Sequence, residues 1–339
     1  MKKSRIIAVL LALVIALSVL ASCSNSAKEP EPSTAESASV QDSSSSADIK
    51  IGVLKGPTGM GAAYLWDKSE QGKTEDKYSF TLETDASVMG GKLISGEYDI
   101  AAIPTNAAAA LAKKSDGKVQ ILAVNTLGIL YVLSKNDISS VKDLENKTVL
   151  TSGQGTAADY VFQYVLKQNS LTPGENITLE YAAEHSEVLT KAVKGEADIV
   201  MLPEPFVTQL TSKNAEFKVC LDLTKEWNAC SDGELCIGAL AINTAFAQKN
   251  ADAVSKFLKE YKESVDFTNA SPEEAGKLIE KCDILAAAVA QKAIPNCNIT
   301  CITGADMKKS LTSFYQVLFD FNPSAIGGAM PADSFYYGA

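Results

Sequence analysis

Gly91-Lys92-Leu93-Ile94-Ser95-Gly96-Glu97-Tyr98-Asp99-Ile100-Ala101-Ala102-Ile103-Pro104 lines up without gaps on Thr190-Lys191-Ala192-Val193-Lys194-Gly195-Glu196-Ala197-Asp198-Ile199-Val200-Met201-Leu202-Pro203. Both stretches read as the end of a helix, a Gly-Glu-x-Asp turn, a short apolar strand and a proline. Gly96 and Gly195 stand where a helix stops, because glycine takes the left-handed closing conformation without a steric penalty. The apolar run after each aspartate suits a strand buried on both faces, and the proline suits the first turn of the next helix.

The relation continues upstream. Val53-Leu54, Gly59 and Tyr64 are matched at the same spacing by Val149-Leu150, Gly155 and Tyr160. Each copy therefore reads strand, helix, strand, helix, strand, helix. The strands are expected near 49–54, 78–84 and 99–103 in the first copy, and near 147–151, 177–182 and 198–202 in the second. That alternation predicts an α/β fold with parallel sheets covered by helices on both faces, and its duplication predicts two similar lobes. Extended segments at 119–124 and 129–134 carry the chain into the second lobe, and the apolar strand 237–242 carries it back. Helical periodicity at 244–293 and 304–319 places those segments on the first lobe. The expected division is 48–128 plus 238–339 for lobe 1 and 129–237 for lobe 2. Hinge positions are expected near 128–131 and 235–238, where Gly128 and Gly238 can absorb backbone change.

Ahead of the folded body lies a different kind of sequence. Lys2, Lys3 and Arg5 precede an apolar run from Ile6 to Leu20, the order of a secretory signal rather than of a structural element. Leu20-Ala21-Ser22-Cys23 resembles the lipobox of bacterial lipoproteins, which implies cleavage after residue 22 and acylation of Cys23. Residues 23–47 are mostly Ser, Ala, Glu and Pro, too poor in apolar surface to offset ordering entropy, and read as a disordered tether. A coil of that length reaches a few tens of ångströms. The expected location is the extracytoplasmic face of a cell membrane, held by the lipid.

The whole chain has a formal net charge of −10. Removing residues 1–22 deletes three basic side chains and no acidic one, leaving 28 basic against 41 acidic residues and a net of −13. Nucleic acid is an improbable partner for such a body, and an anion would have to be held by local donors. Six cysteines remain besides Cys23, so disulfides in several pairings and buried free thiols both stay open. With one histidine and no paired CxxC, no metal site is expected.

In open α/β sheets a ligand sits beyond the carboxyl ends of the strands, and two lobes would trap it between facing edges. The candidate contacts in lobe 1 are Lys55, Gly56, Pro57, Thr58, Gly59 and Met60, then Thr105, Asn106, Asn125 and Thr126. In lobe 2 they are Ser152, Gly153, Gln154, Gly155 and Thr156, then Glu204 and Phe206. The glycine turns let the backbone approach a ligand and open helices whose dipoles favour negative charge. Thr105-Asn106 and Asn125-Thr126 fit capping and ligand contact equally well. Glu204, between two prolines, is expected to point toward the cleft and receive an amine or amino-pyrimidine, or to serve as a solvated cap. Phe206 could stack on a ring or fill the core. His185 reads as a solvated residue at a helix start, and no Ser/His/Asp set is apparent.

The lipobox, the tether, the duplicated lobes, the Lys55-Gly56-Pro57-Thr58-Gly59-Met60-Gly61 turn, the two Gly-Glu-x-Asp-Ile motifs and Pro203-Glu204-Pro205-Phe206 resemble the substrate-binding proteins of ABC importers. Within these the chain is similar to the group serving nitrate, sulfonates, taurine and thiamine-pathway pyrimidines. The resemblance spans nearly all of 48–339 and implies a periplasmic binding protein type II-like fold that closes about a hinge. It implies a small-molecule ligand (a sulfonate, a nitrate-like anion or an amino-pyrimidine), partnership with an ABC permease and its ATP-binding subunits, and no cofactor. The alternative it leaves is a thiamine-pyrimidine-synthase-like enzyme of the same fold.

Overall fold

The computed structural model describes residues 47–339. The expected leader 1–22, the lipid site Cys23 and the tether as far as residue 46 lie outside the described residues. Ala47, expected in the tether, belongs to the body: its N–H donates to Asp76 Oδ1 at 2.9 Å and its carbonyl accepts from the Lys77 N–H.

Eleven strands follow in chain order: β1 (Asp48–Leu54), β2 (Lys77–Glu83), β3 (Ile100–Pro104), β4 (Val119–Thr126), β5 (Leu130–Ser134), β6 (Thr148–Ser152), β7 (Thr178–Ala182), β8 (Ile199–Pro203), β9 (Lys218–Asp222), β10 (Gly238–Asn243) and β11 (Ile299–Ile302). They form two sheets, ordered β11-β4-β10-β3-β1-β2 and β7-β6-β8-β5-β9. The repeat read from the sequence is present in space. β2-β1-β3 in one sheet corresponds to β7-β6-β8 in the other, and both turns close on left-handed glycines, Gly96 at φ 77° and Gly195 at φ 80°.

The expectation of purely parallel sheets needs correction. β10 runs antiparallel to β3 and β4, and β5 runs antiparallel to β8 and β9. The reason is topological: four strands of each sheet, β1 to β4 in one and β6 to β9 in the other, all end at the same edge, where the chain crosses between sheets. A strand entering from that edge must run away from it. The segments read as mere crossings are thus fully paired members of the sheets, one inserted into each.

The helix Gly304–Phe321 also departs from expectation. It packs not only on β4 but on the helix Ala157–Gln168 that flanks the second sheet. Its Phe314 and Leu318 belong to one continuous apolar cluster with Phe162 and Trp227, alongside Ile103 and Val124 from the first sheet and Val132 and Val149 from the second. The six cysteines are all free thiols, with Cys236, Cys282 and Cys297 buried. Burial pushes the Cys282 thiol up to about 12 and the Cys301 thiol up to about 11, which leaves both protonated and unreactive at neutral pH.

Candidate functional site

In both sheets the middle parallel strand is followed in sequence by one neighbour and flanked on the other side by the third strand. The turns after β1 and β3, and after β6 and β8, therefore open at the switch points where such sheets bind ligands.

After β1 the chain passes Lys55, which is exposed and forms no ion pair among the described residues. Gly56, at φ 99°, then sets up a single helical turn, Pro57–Met60. Gly59 is required here, because a Cβ on it would lie 2.2 Å from the Leu54 carbonyl oxygen. This turn is a poorer anion cradle than the sequence suggests. Pro57 has no N–H, and the amides of Gly59 and Met60 both donate to the Gly56 carbonyl, so within Pro57–Met60 only the Thr58 amide is uncommitted. The Met60 side chain is fully buried in the first-lobe core and lines no surface.

Thr105, Asn125 and Thr126 gather at the same edge but are completely buried. Asn125 Nδ2 donates to the Thr58 carbonyl at 3.0 Å and lies 3.3 Å from Tyr261 Oη, while its Oδ1 accepts from Thr126 Oγ1 at 3.2 Å. Thr105 Oγ1 donates to the Cys236 carbonyl at 2.6 Å, and the Thr105 carbonyl accepts from Tyr315 Oη at 2.9 Å. These groups hold the β1 turn and the returning chain in place from beneath. Asn106 is half-buried and reaches the Ala325 carbonyl at 3.4 Å.

In the second lobe the turn after β6 carries Gly153 at φ 71° and Gly155 at φ 77°. Thr156 Oγ1 folds back to the Gly153 carbonyl at 2.6 Å, and the Gly155 N–H donates to Asp159 Oδ2 at 2.8 Å. Gln154 is exposed at the tip. Ser152, at the strand end, shares a 2.5 Å hydrogen bond with His185 Nδ1, and the His185 ring lies 5.4 Å from that of Phe206. The strand ends of β6, β7 and β8 thus bring a hydroxyl, an imidazole and a phenyl ring together. This corrects the reading of His185 as solvated: burial lowers its pKa below the usual 6.5, overriding the opposite pull of Glu184. Sequence could not find this pairing, since 33 positions separate the partners.

Glu204 is also corrected. Its carboxylate is turned inward, 2% exposed, and accepts from the Thr208 N–H at 3.1 Å and Thr208 Oγ1 at 3.0 Å. Asn296 Nδ2, from beside the first sheet, stands 3.5 Å away. Burial raises the Glu204 pKa against the lowering effect of these donors. The carboxylate caps the helix Phe206–Lys213 from within and is buried away from solvent. Nearby, Tyr131 Oη donates to the Asn296 carbonyl at 3.1 Å, and Asn298 Nδ2 donates to the Gly128 carbonyl at 2.6 Å. Residues 296–298 therefore bind both the crossing segment and the second lobe.

Because the folded His185 gives up its proton more readily than the unfolded chain does, its neutral form contributes stability above pH 6.5. That contribution falls as pH drops from there through the depressed folded pKa. A His185→Gln variant should show a flatter loss of stability just below pH 6.5 in urea titrations. Parallel curves for variant and wild type would refute the assignment.

Among the described residues no group of three or more His, Cys, Asp or Glu could hold a metal ion. The strand ends instead present one exposed cation, hydroxyl and amide groups, and one aromatic ring.

A model of the NMT1/THI5-like family matches residues 81–275, more than half of the chain, and the chain belongs to that family. Its fold is that of periplasmic binding proteins. An ABC transporter protein from Parabacteroides distasonis superposes with a TM-score of 0.73 at 23% identity, covering 85% of this chain and 98% of its own. The periplasmic aliphatic sulphonate binding protein SsuA of Escherichia coli gives 0.67 at 18% identity, over 83% and 94%. The periplasmic nitrate-binding protein NrtA of Synechocystis PCC 6803 gives 0.58 at 12% identity, over 85% and 83%. No curated protein matches the chain in sequence.

Proposed function

We propose that this chain is the solute-binding component of an ABC-type importer, which captures a small anion between its lobes and delivers it to a permease with ATP-binding subunits. Lipid on Cys23 would hold it at the extracytoplasmic face, and closure would turn on 128–131 and 235–238. The observation that carries the ligand class is the disposition of charge at the strand ends: Lys55 is exposed and without an ion pair among the described residues, whereas Glu204 is buried and hydrogen-bonded to Thr208. That disposition favours a sulfonate or nitrate-like anion over an amino-pyrimidine. Thr58 from the first lobe, with Gln154, His185 and Phe206 from the second, would complete the contacts, while Ser152, buried beneath, holds His185. The solved neighbours named for sulphonate and nitrate binding support the same class.

The enzyme reading has one observation in its favour, the Ser152–His185 hydrogen bond. In a Ser-His-Asp set, however, a carboxylate orients the histidine's other nitrogen, and none bonds His185 among the described residues. Mass spectrometry of ligand carried through native purification separates the two readings, since a binding protein returns its ligand unaltered. In a thermal-shift panel of alkanesulfonates, nitrate, bicarbonate and pyrimidines, a ligand at about a hundredfold excess over its Kd should add about 2.7 kcal/mol. Lys55→Ala should weaken an anionic ligand roughly ten- to a hundredfold, the worth of one charge-assisted hydrogen bond. No shift with any anion, or undiminished affinity in Lys55→Ala, would sink the proposal.

A further inference from the structure

The turn Ser152–Thr156 poses a physical problem. With left-handed glycines at 153 and 155 flanking an exposed glutamine, it has more backbone freedom than any comparable stretch of ordinary residues, and a loop free to wander loses affinity when a ligand must order it. Something has to choose one conformation.

We propose that Asp159 is a positioning residue that locks this turn in its working shape before any ligand arrives. The inference rests on the turn being part of the anion cleft, and it identifies a group that touches no ligand itself. Asp159 sits in the first turn of the helix Ala157–Gln168 and is 1% exposed. Its Oδ2 accepts the Gly155 N–H at 2.8 Å, and its Oδ1 accepts Tyr181 Oη at 2.7 Å. Tyr181 lies on β7, which pairs with β6 in parallel register. One carboxylate therefore ties the turn to the neighbouring strand. Both bonds are charge-assisted, and the helix N-terminus favours the negative charge. The tie is answered on Tyr181, whose pKa burial and the Asp159 charge both push upward, so that the phenol stays a donor.

The lock also decides what the turn can present. The Gly155 amide is consumed by Asp159 and the Thr156 amide by the Gly153 carbonyl, so neither is free for an anion. Gln154 at the tip and the half-buried His185 at its base are what remain, with Ser152 buried beneath and bonded to His185. Asp159 thus sets where the second-lobe donors stand relative to Lys55.

The test uses the full chain in three variants: Asp159→Ala, Asp159→Asn and Tyr181→Phe. Hydrogen exchange of the Gly155 amide is read in ligand-free protein, and the affinities for methanesulfonate and nitrate are read by calorimetry. Asp159→Ala should speed Gly155 exchange at least about tenfold, with the amides of β6 and β8 unchanged, and weaken the bound probe by about tenfold. Asp159→Asn keeps an acceptor for Gly155 and lets Tyr181 turn to accept, so it should restore most of both. Tyr181→Phe should act in the same direction as the alanine variant but less, and it decides the matter if Asp159→Ala fails to fold. Unchanged Gly155 exchange in either variant, or faster exchange with undiminished affinity, would overturn the proposal. Faster exchange in a protein whose wild type binds neither probe would support the lock while counting against the anion reading, so the two failures are distinguishable.

Discussion

Replacing Trp227 with alanine is expected to cost about 3–5 kcal/mol of folding stability, read as a fall in the urea midpoint at constant slope. Trp227 is fully buried on the helix Leu223–Cys230, and its Nε1 donates to the Gly233 carbonyl at 2.6 Å. Its ring lies 5.1 Å from Tyr164 and 5.7 Å from Phe314. Those neighbours belong to the helices Ala157–Gln168 and Gly304–Phe321, so the indole fills the space where a second-lobe helix meets the long helix that also covers β4. Deleting it leaves a cavity that three helices cannot close without disturbing one another. Trp227→Phe keeps most of the apolar contact and loses the hydrogen bond, and should cost about 1–2 kcal/mol. A loss below about 1 kcal/mol for the alanine variant would mean that the helices pack independently.

Gly59→Ala is the second large effect, and it acts on the site as well as on stability. The added methyl would meet the backbone oxygen of Leu54 at 2.2 Å, an obstacle that no rotamer change can remove. The turn has to lift away from β1, at about 2–3 kcal/mol, and it carries Lys55 and Thr58 with it. Ligand affinity should fall together with stability. Gly91 provides the control: it lies within the helix Ala86–Ser95, and a Cβ there meets nothing within 4 Å. Gly91→Ala should be neutral or stabilising by up to about 1 kcal/mol, because alanine restricts the unfolded chain and favours helix. Thermal denaturation of both variants, with the ligand titrated into each, checks the pair. Equal behaviour of the two would mean that the β1 turn tolerates displacement.

The candidate site was legible in the sequence to uneven degrees. Lys55 to Gly59 and Ser152 to Thr156 could be found because glycine clusters at strand ends are local signals, and the two turns do follow β1 and β6. Asp159 carried a local signal too: Thr156-Ala157-Ala158-Asp159 has the spacing of a helix capping box, although the carboxylate takes the Gly155 amide rather than that of Thr156. Glu204 misled, because the sequence states that a carboxylate follows β8 but not which way it turns. The donors that draw it inward come from Thr208, one helical turn on, and from Asn296, which is 92 positions away.

The amino-acid sequence by itself determined the repeating unit: where helices stop, where buried strands begin, and that this happens twice. Those features depend on residues within a few positions of one another, through glycine conformations and apolar periodicity, and local rules suffice for them. Only the tertiary structure decided that β5 and β10 enter each sheet antiparallel, that the helix Gly304–Phe321 joins both halves, and that Ser152 meets His185. Each of these depends on which surfaces meet once the sheets are assembled. A hydrogen bond or apolar contact between distant residues forms only after the intervening chain has been placed, and its sequence neighbours hold no record of it.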